Sequence, residues 1–198
     1  MHTFFRFSCL VLILWTFGAC GVSKLKTPQQ IRQLESVKTH GIVFVLRDLS
    51  SSRRHLAQTG QTAQLERLSR ELEIGHRQTI AWFERHFDFC PVRFCYSSQI
   101  DSLRAGASVL LDPHTLLPDP KLPLPGKIHV ADFNDNKRGS DYNAQTWERF
   151  FIEKTAISFR PKGKRAWHDP RLTEKDVIAI NAQMHRFWQT LPRSDDEE

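Results

Sequence analysis

The run Gly41-Ile42-Val43-Phe44-Val45-Leu46 constrains the fold more than any other feature of the chain. A strand with one wet face alternates apolar and polar residues. An unbroken apolar run rich in β-branched side chains instead suits a strand covered on both faces, as inside an α/β sheet. The next segments of the chain fit that setting. Ser50, Ser51 and Ser52 offer N-caps for a short helix that stops near Thr59-Gly60. A longer helix is expected from about Thr62 to Phe87, because Leu65, Leu68, Leu72, His76, Ile80, Phe83 and Phe87 recur every three or four residues. Gly75 sits inside it, where glycine costs about 1 kcal/mol against alanine, so a close packing contact is expected there.

Val92, Phe94 and Tyr96 alternate with Arg93, Cys95 and Ser97, which reads as a second strand. Helix between strands makes a βαβ unit with a right-handed crossover and parallel neighbours. Ser98 to Ala105 reads as a short helix stopped by Gly106, and Ala107 to Leu111 as a third strand. Five prolines between Asp112 and Gly126 then favour an extended surface loop. Lys127 to Phe133 resumes as a strand, Asn134 to Ala144 reads as a loop, and Phe150–Ile152 and Ala156–Arg160 are candidate edge strands. A terminal helix opens at Thr173, with Asp176 three residues on as in a capping box. Val177, Ile180, Met184, Phe187 and Leu191 share one of its faces, and Pro192 ends it. The fold class is α/β: one mostly parallel sheet of about four or five strands, flanked by helices.

The N-terminus belongs to a different physical problem. Arg6 precedes an apolar run from Phe7 to Phe17, and Gly18 and Ala19 lead to Cys20. A short cationic start, an apolar stretch and a small-residue exit form a secretory signal, expected over residues 1–19. The run falls short of the roughly 20 apolar residues a stable span needs. Thr16 to Cys20 resembles a bacterial lipobox, with Phe17 where Leu is usual, and this implies acylation of Cys20. Acyl chains contribute about 0.8 kcal/mol per buried CH₂, enough for a multiply acylated terminus to tether the chain without a span. Residues 20–40 are then expected as the tether, with room for a short helical stretch, 41–192 as the single domain, and 193–198 as an acidic tail. Cys90 and Cys95 would lie roughly 16 Å apart along a strand, beyond the roughly 7 Å a disulfide allows, so no bridge is expected. The formal charge of +6 is scattered over Arg53-Arg54, Lys137-Arg138 and Lys162 to Arg165. That pattern does not resemble the one-faced basic surface of a nucleic-acid binder, and nucleic acid is not an expected partner.

No phosphate loop, dinucleotide turn, nucleophile elbow or Cys-x-x-Cys occurs, and none of the nine histidines pairs at i, i+4. Neither a metal ion nor a cofactor is expected. The remaining candidates are positional, since parallel sheets bind ligands beyond the carboxyl ends of their strands. Asp48 follows the first strand, Ser97 and Ser98 the second, and Asp112 and Asp132 close two later ones. Together they could form a polar rim for a cation or polar ligand. The plainer alternative is that they cap helices and turn corners. His86, four residues before Cys90, would serve as a base only if the helix reached that thiol, which Pro91 disfavours. The aromatic residues Trp82, Phe83, Phe87, Phe89, Phe94 and Tyr96 read as core.

The segment Phe87-Asp88-Phe89-Cys90-Pro91-Val92 and the exit Tyr96-Ser97-Ser98 resemble a group of bacterial exported proteins without an assigned activity. The likeness runs from Gly41 to Asp112 and again over His185-Arg186-Phe187. It implies one exported α/β unit and assigns no site. The expected function is a membrane-tethered binding or envelope-associated domain without catalysis. The alternative is a hydrolase-like or metal-dependent enzyme built on the strand-end carboxylates.

Overall fold

The computed structural model describes residues 28–135, 148–152, 158–159 and 172–191. The signal segment, Cys20, the loop from residue 136, most of the stretch from Lys137 to Arg171, Pro192 and the acidic tail lie outside them. The fold is mixed α/β, with three parallel strands flanked by helices. Its elements are α1 (Pro28–His40), β1 (Ile42–Leu46), α2 (Ser50–Gln58), α3 (Thr62–His86), β2 (Val92–Tyr96), α4 (Ile100–Arg104), β3 (Val130–Asp135), β4 (Glu148–Ile152), β5 (Ser158–Phe159) and α5 (Glu174–Gln189). A 3-10 turn, Ser97–Gln99, joins β2 to α4. The sheet order is β2-β1-β3-β4-β5. β1 is parallel to both neighbours, with Ile42 opposite Val92 and Val43 opposite Val130. The β3–β4 and β4–β5 pairs are antiparallel.

All five residues of β1 are buried, as its unbroken apolar run requires. Ile42, Phe44 and Leu46 face a cluster built with Leu34 and Val37 of α1, Ile80 and Phe83 of α3, and Val177, Ile180 and Met184 of α5. Phe44 and Phe83 stack at 4.7 Å between ring centroids, and Phe94 meets Phe83 edge-on at 5.9 Å. Val43 and Val45 face a second cluster with Cys95, Leu103, Leu110 and Val130. Cys90 belongs to the first cluster and Cys95 to the second, so the two free thiols sit on opposite faces of the sheet.

Four local expectations are corrected. Residues 28–40 are not tether but helix, and Leu34 and Val37 are fully buried. A two-residue stripe is too narrow to read as periodicity, yet each such side chain contributes about 1.5 to 3 kcal/mol on burial. The segment Ala107 to Leu111 forms no strand. It has one bridge, Leu111 to Pro118, and donates the Leu111 N–H to Phe94 O at 2.9 Å. The proline-rich stretch is not merely a surface loop. Leu116 is buried, and Leu122 and Leu124 pack on the second cluster. Proline removes donors that a sheet needs, but the leucines between the prolines still supply apolar cover. Gly75 meets no close neighbour: a Cβ there would have nothing within 4 Å.

The expected stripe on α3 is buried only at its C-terminal end. Ile80, Phe83 and Phe87 reach the core, while Leu65, Leu68 and Leu72 are half-buried. α3 therefore runs past the sheet, and its first half carries α2 instead. α2 itself has no buried residue.

Candidate functional site

The carboxyl ends of β1 and β2 lie side by side, and the chain turns there at Arg47–Leu49 and Ser97–Gln99. Asp48 is the hub. Ser97 donates its hydroxyl to Asp48 Oδ1 at 2.8 Å, and Ser98 donates to Oδ2 at closer range. The Asp48 N–H donates in return to Ser97 Oγ at 3.3 Å. The N-cap of α2 is Leu49 with no side-chain cap hydrogen bond, rather than one of the serines expected. Burial pushes the carboxyl upward, but the hydrogen bonds from Ser98, Ser97 and Ser50 outweigh it and the net shift is down.

Around this hub stand His76, Tyr96 and Arg53. His76 donates Nε2–H to the Arg47 carbonyl at 3.0 Å, and its ring lies 5.5 Å from that of Tyr96. Burial lowers its pKa, against that hydrogen bond and the Asp48 charge. Tyr96 donates to the Leu116 carbonyl at 2.9 Å, and burial raises its phenol. Arg77 reaches the His114 carbonyl at 2.7 Å. These contacts bring the loop over residues 112–118 beside the end of β2. Two backbone outliers flank the hub, Leu49 (φ 46°) and Leu116 (φ 59°). Leucine in the left-handed region costs about 1 to 2 kcal/mol, and such strain gathers at functional sites. Gln99 Oε1 is buried with no hydrogen-bond partner among the described residues.

The sequence-derived rim is therefore realised in part. Asp48, Ser97 and Ser98 come together. Asp112 does not join them, because its Oδ1 accepts the N–H groups of His114 (2.9 Å) and Thr115 (2.7 Å) in its own turn. Those bonds, led by Thr115, hold its carboxyl low. Asp132 does not close a strand. It lies within β3 opposite Phe151, and Ala131 beside it pairs with Phe44, four residues before Asp48. β3 continues through Asn134 and Asp135 because backbone pairing with Arg149 and Glu148 does not require apolar side chains.

Three constellations escaped the sequence reading, all at the opposite end of the sheet. Ser36 Oγ lies 2.9 Å from Nε2 of the buried His129, while His40 Nδ1 donates to the Ser36 carbonyl at 3.0 Å. Burial, then the charges of Lys127 and His40, lower His129. Lys38 Nζ sits 4.8 Å from the ring centroids of both Phe89 and Trp188. Asp88 accepts from Asn181 and from His185, each at 2.8 Å, and those bonds lower its carboxyl. The residues come from α1, the α3–β2 turn, the entry to β3, and α5. No local spacing encodes such a meeting. Burial pushes the Cys90 thiol up to about 12, so it is protonated and inert at neutral pH.

Among the described residues no group of three or more His, Cys, Asp or Glu side chains is placed to hold a metal ion. No helix among them is long and apolar enough to cross a membrane. Comparison with protein-family models, with curated proteins and with solved structures finds no match.

Proposed function

We propose that this chain is an exported, membrane-tethered binding protein of the bacterial cell envelope, anchored through Cys20 and recognising its ligand at the β1–β2 end of the sheet. The observation that carries the binding reading is the spent carboxylate of Asp48. It accepts from Ser97, Ser98 and Ser50, and its lowered pKa makes it a weak proton acceptor. A catalytic base needs a pKa near the operating pH and a free lone pair toward substrate. Asp48 instead holds two loops in fixed positions, which suits recognition. The orphan acceptor of Gln99 and the strained Leu49 and Leu116 mark the same end of the sheet.

The tether rests on the secretory pattern of residues 1–19, the small residues before Cys20, and the likeness of Phe87–Ser98 to exported bacterial proteins. The domain is taken as one α/β unit of four or five strands, opened by a βαβ passage from β1 to β2. Intact-mass measurement of the membrane-fraction protein from its producing cell tests the anchor, beside a Cys20→Ala variant. A mature mass beginning at Cys20 with acyl chains, absent in the variant, is expected. An unmodified mass, or a first residue elsewhere, would remove the anchor and leave a soluble exported protein.

A further inference from the structure

α2 is unusual as a helix of a packed domain. It buries no residue, and it carries Arg53, Arg54 and His55 without a single carboxylate. Where it lies on α3, a groove of about 560 Å³ opens, lined by Arg53, Leu65, Glu66, Ser69 and Arg70.

The charges on α3 are arranged unevenly. Arg67 is matched by Glu71 at 2.8 Å and Arg77 by Glu73 at 3.0 Å. Arg70 stands in the favourable i, i+4 order to Glu66, yet the ion pairs on this helix are those of Arg67 and Arg77 among the described residues. Among the described residues neither Arg53 nor Arg70 has a salt bridge or side-chain hydrogen bond. Two unneutralised guanidinium groups thus share one groove with one carboxylate, a serine hydroxyl and an apolar side chain.

We propose that this groove is a binding site for a phosphate-bearing group. Arg53 and Arg70 supply the paired cations, Ser69 a hydroxyl donor, and Leu65 an apolar wall for the rest of the ligand. Each guanidinium presents a planar fork of donors that matches phosphate oxygens, and two forks from different helices hold a phosphate more selectively than scattered charge does. Glu66 lies within the groove and disfavours a doubly charged ligand, so a phosphodiester with one negative charge fits best. The membrane-tethered reading supplies only the source of that phosphate, an anionic lipid headgroup. The groove itself stands without it.

The test compares partition of the mature protein, purified from its producing cell, into phosphatidylglycerol and phosphatidylcholine vesicles. An acyl anchor contributes to both, whereas the groove contributes only to their ratio. The two forks give charge-assisted hydrogen bonds to one phosphate, so the Arg53→Gln/Arg70→Gln double variant should lower the ratio on the order of 20-fold. An equal loss of charge outside the groove, Arg67→Gln with Arg104→Gln, should change it by less than about threefold. All four arginines are exposed, and a thermal melt verifies that each variant is folded. If no preference for the anionic vesicles is seen, dimethyl phosphate, a singly charged diester, should raise the melting temperature of the wild type but not of R53Q/R70Q. That outcome supports the groove with a soluble ligand. Equal losses in the two double variants, or no response to either probe that depends on Arg53 and Arg70, would overturn the site. Failure of the anchor appears separately, as lost partition into the neutral vesicles.

Discussion

The two ends of the parallel strands are built on opposite principles. At the amino end the chain is locked by contacts that leave no room. Gly41 has φ 80°, and a Cβ there would lie 2.3 Å from the Pro91 carbonyl oxygen. The same oxygen accepts the Ile42 N–H at 2.9 Å, and the His129 carbonyl accepts the Val43 N–H at 2.8 Å. Lys38, Ser36 and His185 tie α1 and α5 to this end. At the carboxyl end the ties are polar, Asp48 with two serines and side-chain bonds from His76, Arg77 and Tyr96 to carbonyls, and beyond them α2 lies on the surface without a buried residue. The amino end is held by buried packing and backbone bonds, while the carboxyl end is held by surface polar contacts.

The largest effect expected from breaking this division is at the locked end. Gly41→Ala must shift the Pro91 backbone and adopt a positive φ, so it should cost about 3 kcal/mol or more in urea unfolding. At the other end Asp48→Ala removes the shared partner of the Ser97 and Ser98 hydroxyls. A loss of about 1 to 2 kcal/mol is expected, with the far-UV circular dichroism of the core retained. A loss as large as that of Gly41→Ala would erase the difference between the ends. Gly75→Ala sharpens the picture in the other direction. The site is helical and open on all sides, so alanine should stabilise the protein by about 0.5 to 1 kcal/mol.

A finer distinction comes from pH. His129 is held below its ordinary value of 6.5, so the unfolded chain takes up a proton that the native state resists. The stability this supplies is fully present above pH 6.5 and is lost as pH falls through the folded value. Unfolding titrations of His129→Gln should therefore show a shallower decline between about pH 6.5 and 5 than the wild type. An unchanged decline would move the acid sensitivity elsewhere. Asp48, whose carboxyl is also lowered, acts in the same direction but only below its ordinary 3.8.

The legibility of the chain divides in the same way. β1 was readable because five apolar residues in a row after Gly41 leave few alternatives, and α5 because Val177, Ile180 and Met184 repeat cleanly. Asp48, Ser97 and Ser98 could be brought together on paper because polar residues directly after parallel neighbours must meet. Asp112 and Asp132 could not be placed. One depended on a turn its own carboxylate closes, the other on a hairpin pairing that extends a strand through polar residues. α1 was hidden because two buried side chains make no period, and the Ser36–His129 and Lys38–Phe89–Trp188 contacts because their partners lie far apart in sequence.

Native-state hydrogen exchange, read residue by residue, measures the contrast between the ends most directly. The amides of Gly41, Ile42 and Val43, which are bonded to the Val37, Pro91 and His129 carbonyls, should exchange only through global unfolding and track the denaturant dependence of the whole domain. The amides of α2 from Arg53 to Gln58 should exchange through a local opening at least about 2 kcal/mol less costly, nearly independent of denaturant. Equal protection of α2 and β1, with one shared denaturant slope, would contradict the division of labour between the two ends of the sheet.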